Sequence, residues 1–416
     1  MEKQEVKDLT VYENRFNEDP SSFNDFQAMD YVKELKNQGR IDEAIEAGRT
    51  FLQVGENLTG FINHYAYALY NKFINITDEE IAAKENLFYS ILKEITSLCK
   101  QERYSPLEVT VNKALKYELA KESIDYNKVL ELLSYLDVNE LSAEPFVNKE
   151  GKEFESKKER WFKLAIRANY ELGQYKQCVE NTNKAFASHY KWHYNNLNWT
   201  KYYRASSLVQ LGEYEEAENE FLALGHKVPT GDSFEILYSL YLNTHKEKEA
   251  YTQLIYKFFN EGYDIQCLNT YEKIVDMAKT ARNEEIQNVA EAFVYKLKEE
   301  NNIENTTDIH EHYVNKTSSA LYDHLYNVLM EHLDLFIERT EGKVVYYNEE
   351  RMFGSIDQDA EDNLFLRQAD YIYDEIVEKY DIVEYSIMKT YDMKKQRATY
   401  KAILLKTVEE GNSYQF

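Results

Sequence analysis

This chain has little of what interrupts a helix. Of its 416 residues only 4 are proline and 13 are glycine. Long helices can therefore run unbroken, and turn-rich β architecture is excluded over most of the length. Cysteine is scarcer: Cys99, Cys178 and Cys267 stand far apart. Such a sparse, odd set supplies neither a disulfide framework nor a zinc motif, and it fits a reducing compartment. No stretch approaches the ~18 apolar residues of a membrane span. The start, Met1-Glu2-Lys3-Gln4-Glu5, lacks the apolar segment of a signal peptide. Positive charge is also short, since 49 Lys and Arg face 74 Asp and Glu and leave a net charge of −25. That balance opposes binding to anionic membranes or to nucleic acid over the whole surface. Any nucleic-acid site must be local, and the expectation is a cytoplasmic protein without membrane contact.

Tyrosine is abundant, at 36 residues. Its ring packs while its hydroxyl stays at the surface, which suits broad helix faces and partner grooves. Residues 1–25 are polar and read as loosely ordered. A helical pattern begins near Asp25, where Met29, Val32 and Leu35 space an apolar stripe, and a turn at Gly39 leads into a second arm from Ile41 through Ala44. The phrase recurs at Gly173-Gln174-Tyr175 with Cys178 and Ala185. It recurs again at Gly212-Glu213-Tyr214 with Ala217, Phe221 and Pro229. Each Gly suits the left-handed conformation that ends a helix. The residue two places on is expected to wedge between the arms, and the small residue three further lets them approach. Residues 61–100 and 107–137 are apolar at helical spacing and read as further hairpins. A weaker copy runs from Phe234 through Ala250 to Phe258, and more helices follow Tyr271.

These positions resemble tetratricopeptide repeats, which implies an α-solenoid that holds a protein partner. The interval from Gly173 to Gly212 exceeds the family period of about 34 residues, because Tyr190–Asn196 is inserted. The aromatic stretch Trp192-His193-Tyr194 with Trp199 reads as packing between repeats. The segment 141–155 reads as a surface loop. Near the end of the helical part Leu321, Leu325, Val328, His332 and Leu335 share a face. That stripe either docks on the chain's own helices or makes a homodimer through 321–335. Docking is favoured, because too few heptads are present for a coiled coil.

The last part differs in kind. In an extended chain Arg351, Phe353 and Ser355 share one face, and so do Phe365 and Arg367, while Leu364 and Leu366 point the other way. Aromatic rings beside guanidinium groups can stack unpaired bases and neutralise phosphate. Val383, Tyr385 and Ile387 mark a fourth strand. Lys394, Lys395 and Arg397 form a basic loop, and Ala398, Tyr400, Ala402 and Leu404 mark a closing strand.

At Gly342…Val345-Tyr346-Tyr347-Asn348, Arg351-Met352-Phe353-Gly354-Ser355-Ile356 and Leu364-Phe365-Leu366-Arg367-Gln368 the chain resembles a cold-shock domain. That family is a small five-stranded OB-like barrel that binds single-stranded RNA or DNA. The resemblance covers 341–416 and implies nucleic-acid contacts at Lys343, Tyr346, Asn348, Arg351, Phe353, Phe365 and Arg367. Tyr346 stands for a stacking Trp and Arg367 for a His. Ser355 and Gln368 replace two stacking Phe, Val345 replaces a Lys, and Met352 replaces a Gly that lets strands approach. Local acid opposes phosphate binding, with Asp359, Glu361, Asp362, Asp370, Asp374 and Glu375 close by.

No glycine-rich phosphate loop, nucleophile elbow or Cys/His pair appears, so no catalytic, cofactor or metal residue is assigned. His310, Glu311, His312, His324 and His332 fit no ligand spacing and read as surface side chains. The expected architecture is mainly α, a tetratricopeptide-like solenoid over 1–340 followed by a cold-shock-like OB barrel over 341–416. The expected function is a non-enzymatic adaptor that joins a protein partner to single-stranded RNA or DNA. By architecture it resembles bacterial stress or conflict proteins. The alternative is a protein–protein scaffold whose barrel no longer binds nucleic acid.

Overall fold

The computed structural model describes residues 7–55, 57–225, 233–305, 311–357, 363–372 and 376–409. It is mainly helical with a small C-terminal sheet, and the chain divides into two compact units, Met1–Tyr194 and Asn195–Phe416. The expected division at 340/341 falls inside the second unit. None of the described helices is long and apolar enough to cross a membrane.

The first unit contains α1 (Thr10–Glu18), α2 (Asp25–Asn37), α3 (Ile41–Val54), α4 (Ile62–Leu69), α5 (Asp78–Ala83), α6 (Glu85–Leu98), α7 (Leu107–Leu119) and α8 (Tyr126–Ser134). A short hairpin, β1 (Phe146–Val147) with β2 (Glu153–Phe154), leads to α9 (Lys157–Glu171) and α10 (Tyr175–Ala187). Helix starts are set locally: Asn24 with Gln27 and Thr77 with Glu80 make reciprocal capping boxes. The expectation of loose order through residue 25 is wrong for α1. Phe16 and Phe23 pack on Phe51 of α3, with ring centroids 5.5 and 5.0 Å away. Aromatic burial thus orders a segment whose polarity suggested a tail. The segment 141–155 stays at the surface but carries the β1–β2 hairpin, turned at Gly151 in the left-handed region. Of the inserted aromatics, Trp192 packs as expected, against Tyr190 at 4.8 Å, and His193 is buried, but Tyr194 is exposed.

The second unit begins with α11 (Asn196–Leu211), α12 (Tyr214–Leu224), α13 (Ser233–Asn243), α14 (Glu247–Glu261), α15 (Leu268–Ala281), α16 (Glu284–Glu300) and α17 (Ser318–Glu331). One turn geometry recurs in both units. After α2, α9, α11, α13 and α15 a single residue has positive φ: Gly39, Gly173, Gly212, His245 and Arg282. The next N–H then bonds the carbonyl five residues back, as in Arg40 to Leu35, Glu213 to Leu208 and Asn283 to Ala278. This closes the helix end in a Schellman motif. Ala44, Cys178, Ala217 and Ala250 are fully buried, so the close approach expected at the small positions is present. The expected aromatic wedge is absent at Tyr214, which is exposed. Pro229 lies outside the described residues. Leu321, Leu325 and Val328 are buried against the chain's own helices, as docking of the stripe requires, while Leu335 is exposed.

The sheet comprises β3 (Thr340–Asn348), β4 (Phe353–Asp357), β5 (Leu364–Arg367), β6 (Ile382–Asp392) and β7 (Arg397–Glu409). It closes on itself in the order β3-β4-β5-β7-β6, antiparallel except for β5 with β7. Its interior holds Val344, Ile356, Leu364, Leu366, Val383, Ala402 and Leu405. Leu404 was expected to share a face with Ala402. Instead the register shifts opposite Glu384–Ser386, Leu404 takes positive φ, and Leu405 faces inward. Arg339 explains how the irregularity is tolerated, since its guanidinium donates to the Leu404 carbonyl at 2.7 Å and to Glu384 Oε2 at 3.1 Å. A disrupted ladder is thereby satisfied by a side chain.

Candidate nucleic-acid interface

Three rings share the outer face of β3–β5. Tyr346 lies 6.2 Å from Phe353, and Phe353 lies 5.8 Å from Phe365 at 34° between planes. Tyr346 is 48% exposed and Phe365 42%, and Phe353 is half-buried. Cross-strand register sets this spacing: Ser355 sits opposite both Tyr346 and Phe365, and Phe353 sits opposite Arg367 and Asn348. A bulge between Val344 and Tyr346 turns Val344 inward and Tyr346 outward.

The remaining expected contacts are placed differently. Arg351 is exposed in the turn between β3 and β4, not on the strand. Asn348 caps that turn, its Oδ1 accepting the Arg351 N–H at 2.8 Å. Lys343 is exposed on β3 with its Nζ 5.0 Å from the centre of the Tyr380 ring. Met352 takes positive φ; a glycine would serve there because it adopts that backbone freely. The close strand approach is at Gly354, where a Cβ would lie 2.3 Å from the Tyr346 carbonyl oxygen.

Arg367 is engaged. Its Nε and Nη2 donate to Asp370 at 3.0 and 3.1 Å, and Nη2 also reaches the Tyr256 hydroxyl on α14. Lys401 of β7, on the other side of the same carboxylate, donates to Asp370 Oδ1 at 3.2 Å and to Tyr256 at 2.6 Å. Asp370, Lys401 and Tyr256 are all buried. Burial alone would raise the Asp370 pKa, but the Arg367 hydrogen bonds and the Lys401 charge outweigh it and hold the carboxyl below its usual range. One carboxylate serving two cations leaves Lys401 under-compensated. Burial, helped by the Arg367 charge, lowers its pKa to about 8 despite Asp370. Asp370 was expected to repel phosphate; it is neutralised instead. Asp359, Glu361, Asp362, Asp374 and Glu375 lie outside the described residues.

This cluster was not readable from sequence. Lys401 sits on β7 where alternation suggested a solvent-facing side chain, and only the helices packed over β6 and β7 bury it. Beside it, α12–α14 and β5–β7 enclose a cavity of about 770 Å³. Its helical lining is mostly apolar, with Phe221, Leu222, Phe234 and Leu237 beside Gln253 and Tyr256. Its strand lining carries Phe365 and the basic residues of β5–β7 and their loop. Of the histidines, His310 lies outside the described residues, and His312 packs on Tyr313. No grouping of His, Cys, Asp and Glu that could hold a metal occurs among the described residues.

No protein-family model matches this chain, and comparison with curated proteins returns no match.

Proposed function

We propose that the chain is a non-enzymatic adaptor whose C-terminal cold-shock-like OB barrel binds single-stranded RNA or DNA, while tetratricopeptide-like hairpins hold a protein partner. The observation that carries this reading is the run of three neighbouring, part-exposed rings, Tyr346, Phe353 and Phe365. OB barrels bind oligonucleotides on the face of their second and third strands and with the loops after the first and fourth. Here those are β4, β5, the turn holding Arg351 and the loop holding Lys394 and Lys395. Base stacking on such rings contributes about 1–3 kcal/mol per base without regard to sequence. A tethered protein contact would raise the apparent affinity of a short site.

The test is fluorescence anisotropy with a labelled single-stranded oligonucleotide. The Phe353→Ala/Phe365→Ala double variant is expected to bind at least tenfold more weakly. Equal affinity of variant and parent would remove base stacking from the account. The engagement of Arg367 by Asp370 and the net charge of −25 favour a second reading, a protein–protein scaffold. Partner capture that survives nuclease treatment, with no oligonucleotide binding, would select it.

A further inference from the structure

The cavity beside the ring platform has a composition unlike the rest of the chain. In a protein with a net charge of −25, its lining includes Arg367, Lys389, Lys394, Lys395, Arg397 and Lys401 but, among the described residues, a single carboxylate, Asp392. Asp392 is occupied, accepting the backbone N–H groups of Lys394 and Lys395 at 2.9 and 3.0 Å. Lys389 is paired with Glu218 at 3.0 Å, and Lys401 is held by Asp370. The ammonium groups of Lys394 and Lys395 stand exposed on the loop, with no ion pair to any described residue.

The opposite wall holds one polar side chain that nothing in the fold explains. Gln253 of α14 is 3% exposed and lines the cavity, yet its amide makes no hydrogen bond to any described residue. A glutamine amide places a donor beside an acceptor, the pattern that meets a base edge. Phe365, part of the platform on one side, lines the cavity on the other. The volume is in the range that holds small ligands.

We infer that this cavity is a nucleotide site, with the Gln253 amide on the base edge, Phe365 against the base, and Lys394 and Lys395 on the phosphate. The nucleotide comes either as a free nucleoside phosphate or as one residue of a bound strand turned in from the platform. In the second form the inference rests on the nucleic-acid reading above.

Isothermal titration with adenosine 5′-monophosphate and anisotropy with labelled oligo(dA) test it, on the full chain and on three variants. Gln253→Leu removes the amide from an apolar wall and is expected to keep the melting temperature. Lys394→Ala/Lys395→Ala alters only exposed side chains. Phe353→Ala lies outside the cavity and probes the platform alone. Saturable binding of the monophosphate, weakened about tenfold by Gln253→Leu and by the lysine variant, identifies the free nucleotide. Oligonucleotide binding weakened to the same degree, with no monophosphate binding, identifies the strand. If the full chain binds neither probe, or Gln253→Leu and the lysine variant bind both as the parent does, the site is overturned. An effect of Phe353→Ala without one of Gln253→Leu overturns the cavity and keeps the platform; the reverse keeps the cavity and removes the platform.

Discussion

Asp370 carries more than its share of the sheet–helix junction. Two cations and a phenol converge on one buried carboxylate, so losing it leaves the buried Lys401 ammonium without its counter-ion. Asp370→Ala is expected to cost roughly 3–5 kcal/mol in chemical denaturation. Lys401→Met should cost much less, because Asp370 keeps Arg367 and Tyr256 and a cation under strain from burial is removed. Equal losses would mean that Lys401, not Asp370, is the hub. His193 gives the matching case in the first unit. Its Nδ1 lies 2.7 Å from Glu159 and its Nε2 lies 3.1 Å from Glu153. Burial works against the charged ring, but the two carboxylates prevail and raise its pKa above 6.5. A raised histidine stabilises fully below its unfolded value and loses that contribution as pH climbs through the folded one. The melting temperature should therefore fall as pH climbs above about 6.5, and His193→Gln should flatten that slope.

At the scale of elements, the helical hairpins share one turn and the sequence marks only some of its copies. Gly39, Gly173 and Gly212 announce it. His245 and Arg282 take the same left-handed backbone without the residue that favours it. No atom lies within 4 Å of a Cβ added at Gly212, so Gly212→Ala should cost only the backbone penalty, about 1 kcal/mol. His245→Gly should stabilise by about 0.5 kcal/mol for the same reason. Gly354 is a different case, since its alanine would meet the Tyr346 carbonyl. We expect Gly354→Ala to cost about 3 kcal/mol and to separate β3 from β4, seen as lost protection of their amides in hydrogen exchange. Strands β4 and β5 were legible because their period of two is unbroken. Strands β6 and β7 were legible as strands, but their register and buried faces were not. A bulge shifts their register, and helices cover the face that should have been wet, so Lys401 through Leu405 are buried in succession.

For the whole molecule, strong acidity and a local basic loop make opposite demands on an anionic ligand. A single strand held by few cations should show a shallow salt dependence. Each phosphate contact contributes about 0.7 to the slope of log affinity against log salt. Lys394→Ala/Lys395→Ala should therefore reduce the slope of oligonucleotide binding by about 1.4. An unchanged slope would place the phosphates elsewhere. Phe353 and Phe365 were nameable in advance because alternation assigns a face from local sequence alone. Tyr346 was named only through the cold-shock resemblance, since a bulge after Val344 sets its face. Helical periodicity and turn chemistry named the apolar stripes and the capping glycines. Helix, strand and face are local properties, settled by periodicity and backbone preference, and the sequence by itself determined them for most of this chain. Which faces meet is not local. Only the packing of α12–α14 against β5–β7 buried Lys401, brought Tyr256 to Asp370, Arg367 and Lys401, and left the Gln253 amide facing a cavity, because the Tyr256 contacts join residues more than a hundred positions apart that no pattern along the chain relates.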